Sequence, residues 1–136
     1  MTAAAWLFGA GGVILIGLGT FFMLARPSLL PEDLRYLKRS AVDIDMAVPQ
    51  LRRWLRLVFI VLGGYAVSTG TLTVYLAATG LHHPHWSVVA VLAVTGAVSI
   101  GVMAVVNFVL RSAFRWLLSA FAAVWIVATF AAVVAH

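Results

Sequence analysis

The chain has 136 residues, of which 64% are hydrophobic and 10% charged, with a net charge of +5. A soluble domain is about a quarter charged, so this inventory cannot cover a water-exposed surface. All Lys, Arg, Asp and Glu lie in 26–56 or at Arg111 and Arg115, and the lack of cysteine excludes thiol–disulfide exchange and covalent haem attachment.

A helix needs roughly 20 apolar residues to cross a bilayer. Four such segments are predicted, at 3–25, 57–81, 86–110 and 116–135. The fold class is therefore all-α: one integral membrane four-helix bundle over residues 1–136. Apolarity is continuous rather than alternating, which argues against a β-barrel. No basic residue precedes the first segment and no clear cleavage site ends it. It is expected to remain as a helix rather than be removed as a signal peptide.

The first helix offers a small-residue stripe of Ala5, Gly9, Gly12 and Gly19, suited to close helix packing. In the loop that follows, Pro31, Glu32 and Asp33 form a helix start, with the acids near the positive dipole end. Leu30, Leu34, Leu37 and Ala41 recur at helical spacing, and Arg35, Lys38 and Arg39 fall off that stripe. The pattern predicts a short amphipathic helix on the inner leaflet, broken by Asp43 and Asp45. Pro49 then opens the second helix, whose first turns carry Arg52, Arg53, Trp54 and Arg56. Arg35, Lys38, Arg39, Arg52, Arg53 and Arg56 are candidate membrane anchors, each attracting anionic headgroups by about 1 kcal/mol. The basic balance is a membrane-surface signature and implies no nucleic-acid partner.

The second helix carries Gly63, Ala66, Gly70 and Ala77 as packing residues. Tyr65, Ser68, Thr69, Tyr75 and Thr79 form a second, polar face, a candidate lining for a polar path, with Leu72 and Leu76 among them. In the third helix Ala90, Ala93, Ala97, Gly101 and Ala104 follow three- and four-residue steps, and Thr95, Ser99 and Asn107 are its polar residues. Ser and Thr hydroxyls bond readily to their own helix. The Asn107 amide has no such easy local solution and joins the candidate lining. Arg111 and Arg115 mark a tight turn into the fourth helix, which carries Ala128, Ala131, Ala132 and Ala135, with Trp125 as a packing residue. Gly12 and Gly17 share their spacing with Gly96 and Gly101. Two parallel hairpins would explain this, and coincidence in a Gly- and Ala-rich chain explains it nearly as well.

Basic loops face the cytoplasm, which predicts both termini outside and a plasma-membrane location. Trp6 and Trp86 then fall near the outer interface, and Trp54 and Trp116 near the inner one. High Ala and Val with few Lys suggests a bacterial source.

His82, His83 and His85, joined by Pro84, are the one metal-ligating constellation. They are a weak candidate, because no carboxylate or cysteine stands nearby to complete a site. No cofactor is expected. No histidine lies within a segment to ligate haem, and no charged residue lies mid-segment to carry a proton. Small multidrug exporters share this size and helix count but use a membrane-embedded Glu, which is absent here. The membrane-bound glutathione transferase-like family shares the basic first loop, but its Arg, Asn and Glu combination is not found: no Glu follows Glu32.

Three readings remain. The first is a non-catalytic accessory or structural subunit of a larger membrane complex, its partners being anionic lipid and either other membrane subunits or itself. The second is a homo-oligomeric channel, carrier or lipid- or small-molecule-binding protein, lined by the helix-2 hydroxyls. The third, an enzyme at the inner interface using Glu32, Asp33, Asp43 or Asp45, lacks a nucleophile motif or phosphate loop.

Overall fold

The computed structural model describes residues 2–81 and 85–135. Those residues are helical with no strand, and four helices are long and apolar enough to cross a membrane. Helix α1 spans Ala3–Leu24, started by the Thr2 hydroxyl, which accepts from the Ala5 N–H at 3.2 Å. No charged residue closes its far end from within. Instead the guanidinium of Arg56 reaches across and donates to the carbonyls of Met23, Leu24 and Arg26 at 3.0–3.1 Å. The first two are carbonyls a helix end leaves without a donor.

The connection forms two short helices where a single one was expected: α2 (Pro31–Leu37) and α3 (Ala41–Ala47). Lys38 turns left-handed, with φ 52°, and ends α2. Ser40 then opens α3 with a reciprocal cap, its hydroxyl accepting from the Asp43 N–H and the Asp43 carboxylate accepting from the Ser40 N–H, both at 3.1 Å. Asp43 therefore begins a helix rather than breaking one. The Ser-x-x-acid spacing makes that bond pair available only with a new N-terminus at Ser40.

Helix α4 spans Leu51–Thr79, about 43 Å at 1.5 Å per residue. The third span, Trp86–Val109, is not uniform. It comprises α5 (Trp86–Gly96), a π-helical turn (Ala97–Gly101) and α6 (Val102–Val109). Helix α7 covers Arg115–Val134. The turn before it places Arg111 at φ 50° and buries Ser112 completely.

The four spans run antiparallel in sequence. One end of the bundle carries every charged residue and the connections 25–50 and 110–114, and the other end carries Thr2 and Ala135. Helix α1 packs along α4 on one side and α7 on the other, and α5 and α6 pack on α7. Contact between α4 and α5 is slight, so the bundle has an open seam there.

Two glycine pairs set the α1–α4 distance. A Cβ at Gly19 would sit 2.5 Å from the Gly63 carbonyl oxygen, and one at Gly63 equally close to that of Gly19. Gly12 and Gly70 make the same reciprocal approach, at 2.8 and 2.5 Å. Backbone lies against backbone, which only glycine permits and which van der Waals packing between membrane helices rewards.

The other hairpin is built around Trp125. Its ring is buried, stands edge-on to Phe8 at 6.0 Å, and presses on Gly11 of α1 and Gly96 of α5. Its indole N–H donates to the Leu92 carbonyl at 2.8 Å. The π turn begins just after Gly96, where the ring sits. The Ser99 hydroxyl donates to the Thr95 carbonyl at 2.5 Å within it. A side chain inserted against the ladder, as Trp125 is at Leu92, is a recognised cause of departure from regular helix.

Candidate functional site

At the charged end, every carboxylate is engaged from within the chain. Asp33 accepts from the Leu30 N–H at 2.9 Å and lies 3.9 Å from the Arg26 guanidinium. Asp43 caps α3. Asp45 accepts from Arg52 at 2.6 Å across the exposed α3–α4 junction. Glu32 is buried and accepts from the Ser112 hydroxyl at 2.8 Å, tying the first connection to the last turn. Ser112 in turn accepts from the Phe114 N–H. The Arg26 guanidinium lies 3.6 Å from the centre of the Phe59 ring, a cation–π contact. Burial pushes its pKa below the ordinary guanidinium value, and Asp33 and Glu32 oppose that. Arg35, Lys38, Arg39, Arg52 and Arg53 are exposed, and Arg56 is committed to the end of α1.

His82 and His83 lie outside the described residues, as do Pro84 and His136. His85 is described and exposed. Among the described residues no group of metal-ligating side chains comes together.

Within the spans, the small residues occupy different settings. Gly12, Gly19, Gly63 and Gly70 meet backbone, whereas Gly9 meets nothing. In the third span the row facing the core is Val89, Leu92, Gly96, Ile100 and Ala104. Ala93, Ala97 and Gly101 instead line a groove of about 760 Å³ between this span and α7, with Ile126 and Phe130 on its far wall. The groove is almost wholly apolar.

The polar side chains separate into two groups. Thr20, Thr71, Thr73, Thr79, Ser99, Ser119 and Thr129 each donate to a carbonyl one turn back in their own helix. Asn107 does the same, its amide donating to the Met103 carbonyl at 2.9 Å. The expectation that this amide lacks a local partner is thus corrected: the side chain is long enough to bend back along the helix.

Tyr65, Ser68, Thr69, Tyr75 and Thr95 form the second group, and their hydroxyls bond no group among the described residues. All five lie on α4 or across the open seam from it. Thr69 and Thr95, with Thr73, line a crevice of about 190 Å³ in that seam. Tyr65, Ser68 and Tyr75 point outward, and both tyrosines are exposed. Sequence reasoning named the α4 members of this cluster from their shared helix face. It left Thr95 apart, because only tertiary structure brings α5 alongside Thr69.

Comparison with family models, with curated proteins and with solved structures finds no match for this chain.

Proposed function

We propose that this chain is a non-catalytic, multi-pass plasma-membrane protein of bacterial type that works through its helix faces, as an accessory or structural subunit of a membrane assembly. The charged end faces the cytoplasm, by the bias of Arg and Lys toward that side. Helices α2 and α3 then lie along the inner leaflet, and their exposed Arg35, Lys38 and Arg39 meet anionic headgroups.

The observation that carries this reading is the clustering of unpartnered hydroxyls. In hydrocarbon, a polar group without a partner costs free energy. The other Ser and Thr hydroxyls well inside the spans find carbonyls in their own helices, so hydroxyls left outward along one helix mark a surface that meets protein. The four carboxylates support a non-catalytic role, since each is already engaged in holding the fold.

A second reading, a lipid- or small-molecule-binding protein, is favoured by the apolar groove beside α7. Extraction in a gentle detergent followed by native mass spectrometry separates the two. Particles containing other, different protein chains support the subunit reading. This chain alone, in one or more copies and carrying bound lipid or another small molecule, supports the second reading and removes the first.

A further inference from the structure

On α4, Val61, Tyr65, Ser68, Leu72, Tyr75 and Thr79 follow alternating steps of four and three residues. That is the spacing of the contact positions in a left-handed helix pair. Every residue of the row is exposed, with Tyr65 at 70% and Tyr75 at 63%. Gly63 and Gly70, on the other face of α4, are taken up by α1. The row is about 27 Å long, most of a hydrocarbon core. A complete helix-pairing seam thus stands without a helix on it.

The chemistry of the row narrows the occupant. Tyr65, Ser68 and Tyr75 present hydroxyls that bond nothing within the described chain, and the row holds no charged residue. At the depth of Tyr65 and Ser68 acyl chains offer neither donors nor acceptors, whereas Tyr75, one turn from the end of α4, reaches toward the interface. A matching protein surface must supply both, at the same depths.

We propose that the occupant is a second copy of this chain, packed α4 to α4 about a two-fold axis normal to the membrane. Two copies inserted with one topology are related by such an axis, so their α4 helices run parallel. In a parallel pair of this spacing, each contact position meets its own counterpart. Ser68 then faces Ser68, and the tyrosines face their equivalents at equal depth. A hydroxyl both donates and accepts, so like pairs with like. Carboxylates or amines in the row would repel their own copies. Leu72 supplies an apolar layer between the polar ones, and the small Ser68 lets the helices approach. The inference rests on the reading that the chain acts through its helix faces, and adds the identity of one partner.

The test uses the natural lack of cysteine. Single substitutions Ser68→Cys and Leu72→Cys on the row, and Val98→Cys and Val127→Cys on exposed faces elsewhere, are made in the full chain. They are oxidised in native membranes with copper phenanthroline and run on non-reducing gels. A disulfide requires Cα atoms within about 7 Å, so it reports direct apposition. The proposal expects both row variants to shift from 14.6 kDa to twice that mass, with Val98→Cys and Val127→Cys unshifted. Either row variant alone carries the test if the other fails to accumulate. Equal shifts at all four positions, or none at the row, overturn it. Row variants that cross-link only to a different chain overturn the second copy while sparing the subunit reading. No cross-link, together with a single-chain native mass, removes both.

Discussion

Between α1 and α4, glycine meets glycine; between α5 and α7, glycine meets tryptophan. Gly19 and Gly63 bring two backbones to a distance no Cβ would allow. Gly96 instead opens a socket into which Trp125 inserts its ring, with an indole hydrogen bond to Leu92 holding it there. Both hairpins draw on the same store of small residues. One spends them on contact between main chains, and the other on seating a ring that Phe8, Gly11 and the bond to Leu92 hold in place. The comparison teaches that a small-residue stripe specifies a packing mode only together with what faces it.

The largest effects should follow from obstructing the backbone contact. Gly63→Ala and Gly19→Ala each place a methyl against a carbonyl oxygen that cannot rotate away. We expect losses at or above about 3 kcal/mol, the upper part of the range for overpacking. Gly17 and Gly64 are in the same two helices but meet nothing within 4 Å. Alanine there should be neutral, or stabilising by up to about 1 kcal/mol through helix propensity. Equilibrium unfolding in detergent micelles measures all four. Equal effects at Gly63 and Gly64 would dissolve the distinction between the two hairpins.

Gly96→Ala should cost a comparable amount, about 3 kcal/mol, because the ring it meets is buried and is backed by Gly11 and Phe8. The loss should shrink in Gly96→Ala with Trp125→Leu relative to the sum of the single changes, since the two residues touch. Strict additivity in that cycle would mean the socket is not what the Gly96 variant disrupts.

These two interfaces were legible from sequence to different degrees. Charge placement and segment length pointed to four apolar helices, because the cost of burying charge in hydrocarbon leaves few alternatives. Which small residues meet backbone was not legible. Gly9, Gly12 and Gly19 share one stripe, yet Gly9 faces open space, because the contact depends on how the two axes cross. The π turn was equally hidden. The alanine stripe and the core-facing row are offset by one residue from Ala90 and Val89 onward and meet only at Ala104, past the π turn, which nothing in the local composition announces. The hydroxyl face of α4 was visible as a pattern. Its division into satisfied and unsatisfied groups was not, since either rotamer is open to a Thr in an isolated helix.

The hairpins are also joined to each other at the charged end, where Glu32 accepts from Ser112. Ser112→Ala leaves a buried carboxylate without that donor, with an expected loss of about 1–3 kcal/mol. Glu32→Gln keeps an acceptor oxygen and should lose less. If both variants unfold as the parent does, the two hairpins are held by α1–α7 packing alone. Trp125→Phe belongs lower on the scale. It keeps an aromatic ring in the socket but removes both the bond to Leu92, an interhelical contribution averaging about 0.6 kcal/mol, and part of the bicyclic ring packed between Gly11 and Gly96, which adds a cavity cost of about 1 kcal/mol. A loss several times larger would show that the indole shape, and not glycine, defines the socket.

The smallest effect concerns the connections rather than the interfaces. The second hairpin turns tightly through the buried Ser112, while the first uses a long exposed segment whose helix α3 depends on its cap. Hydrogen bonding by Ser40, its hydroxyl first and its backbone N–H second, holds the Asp43 carboxyl below its ordinary value of 3.8. A carboxyl depressed by folding stabilises the folded form fully above its unfolded value, and that help is lost as pH falls through the lower folded value. Helix α3 should therefore hold unchanged from neutral pH down to about 4 and fray only below it. Backbone chemical shifts of residues 41–47 in micelles report this directly. In Asp43→Asn the acid step should vanish, because the amide accepts the Ser40 N–H without titrating. The same acid profile in that variant would assign the transition to another carboxylate, with Asp45 and its exposed pair to Arg52 the next to examine.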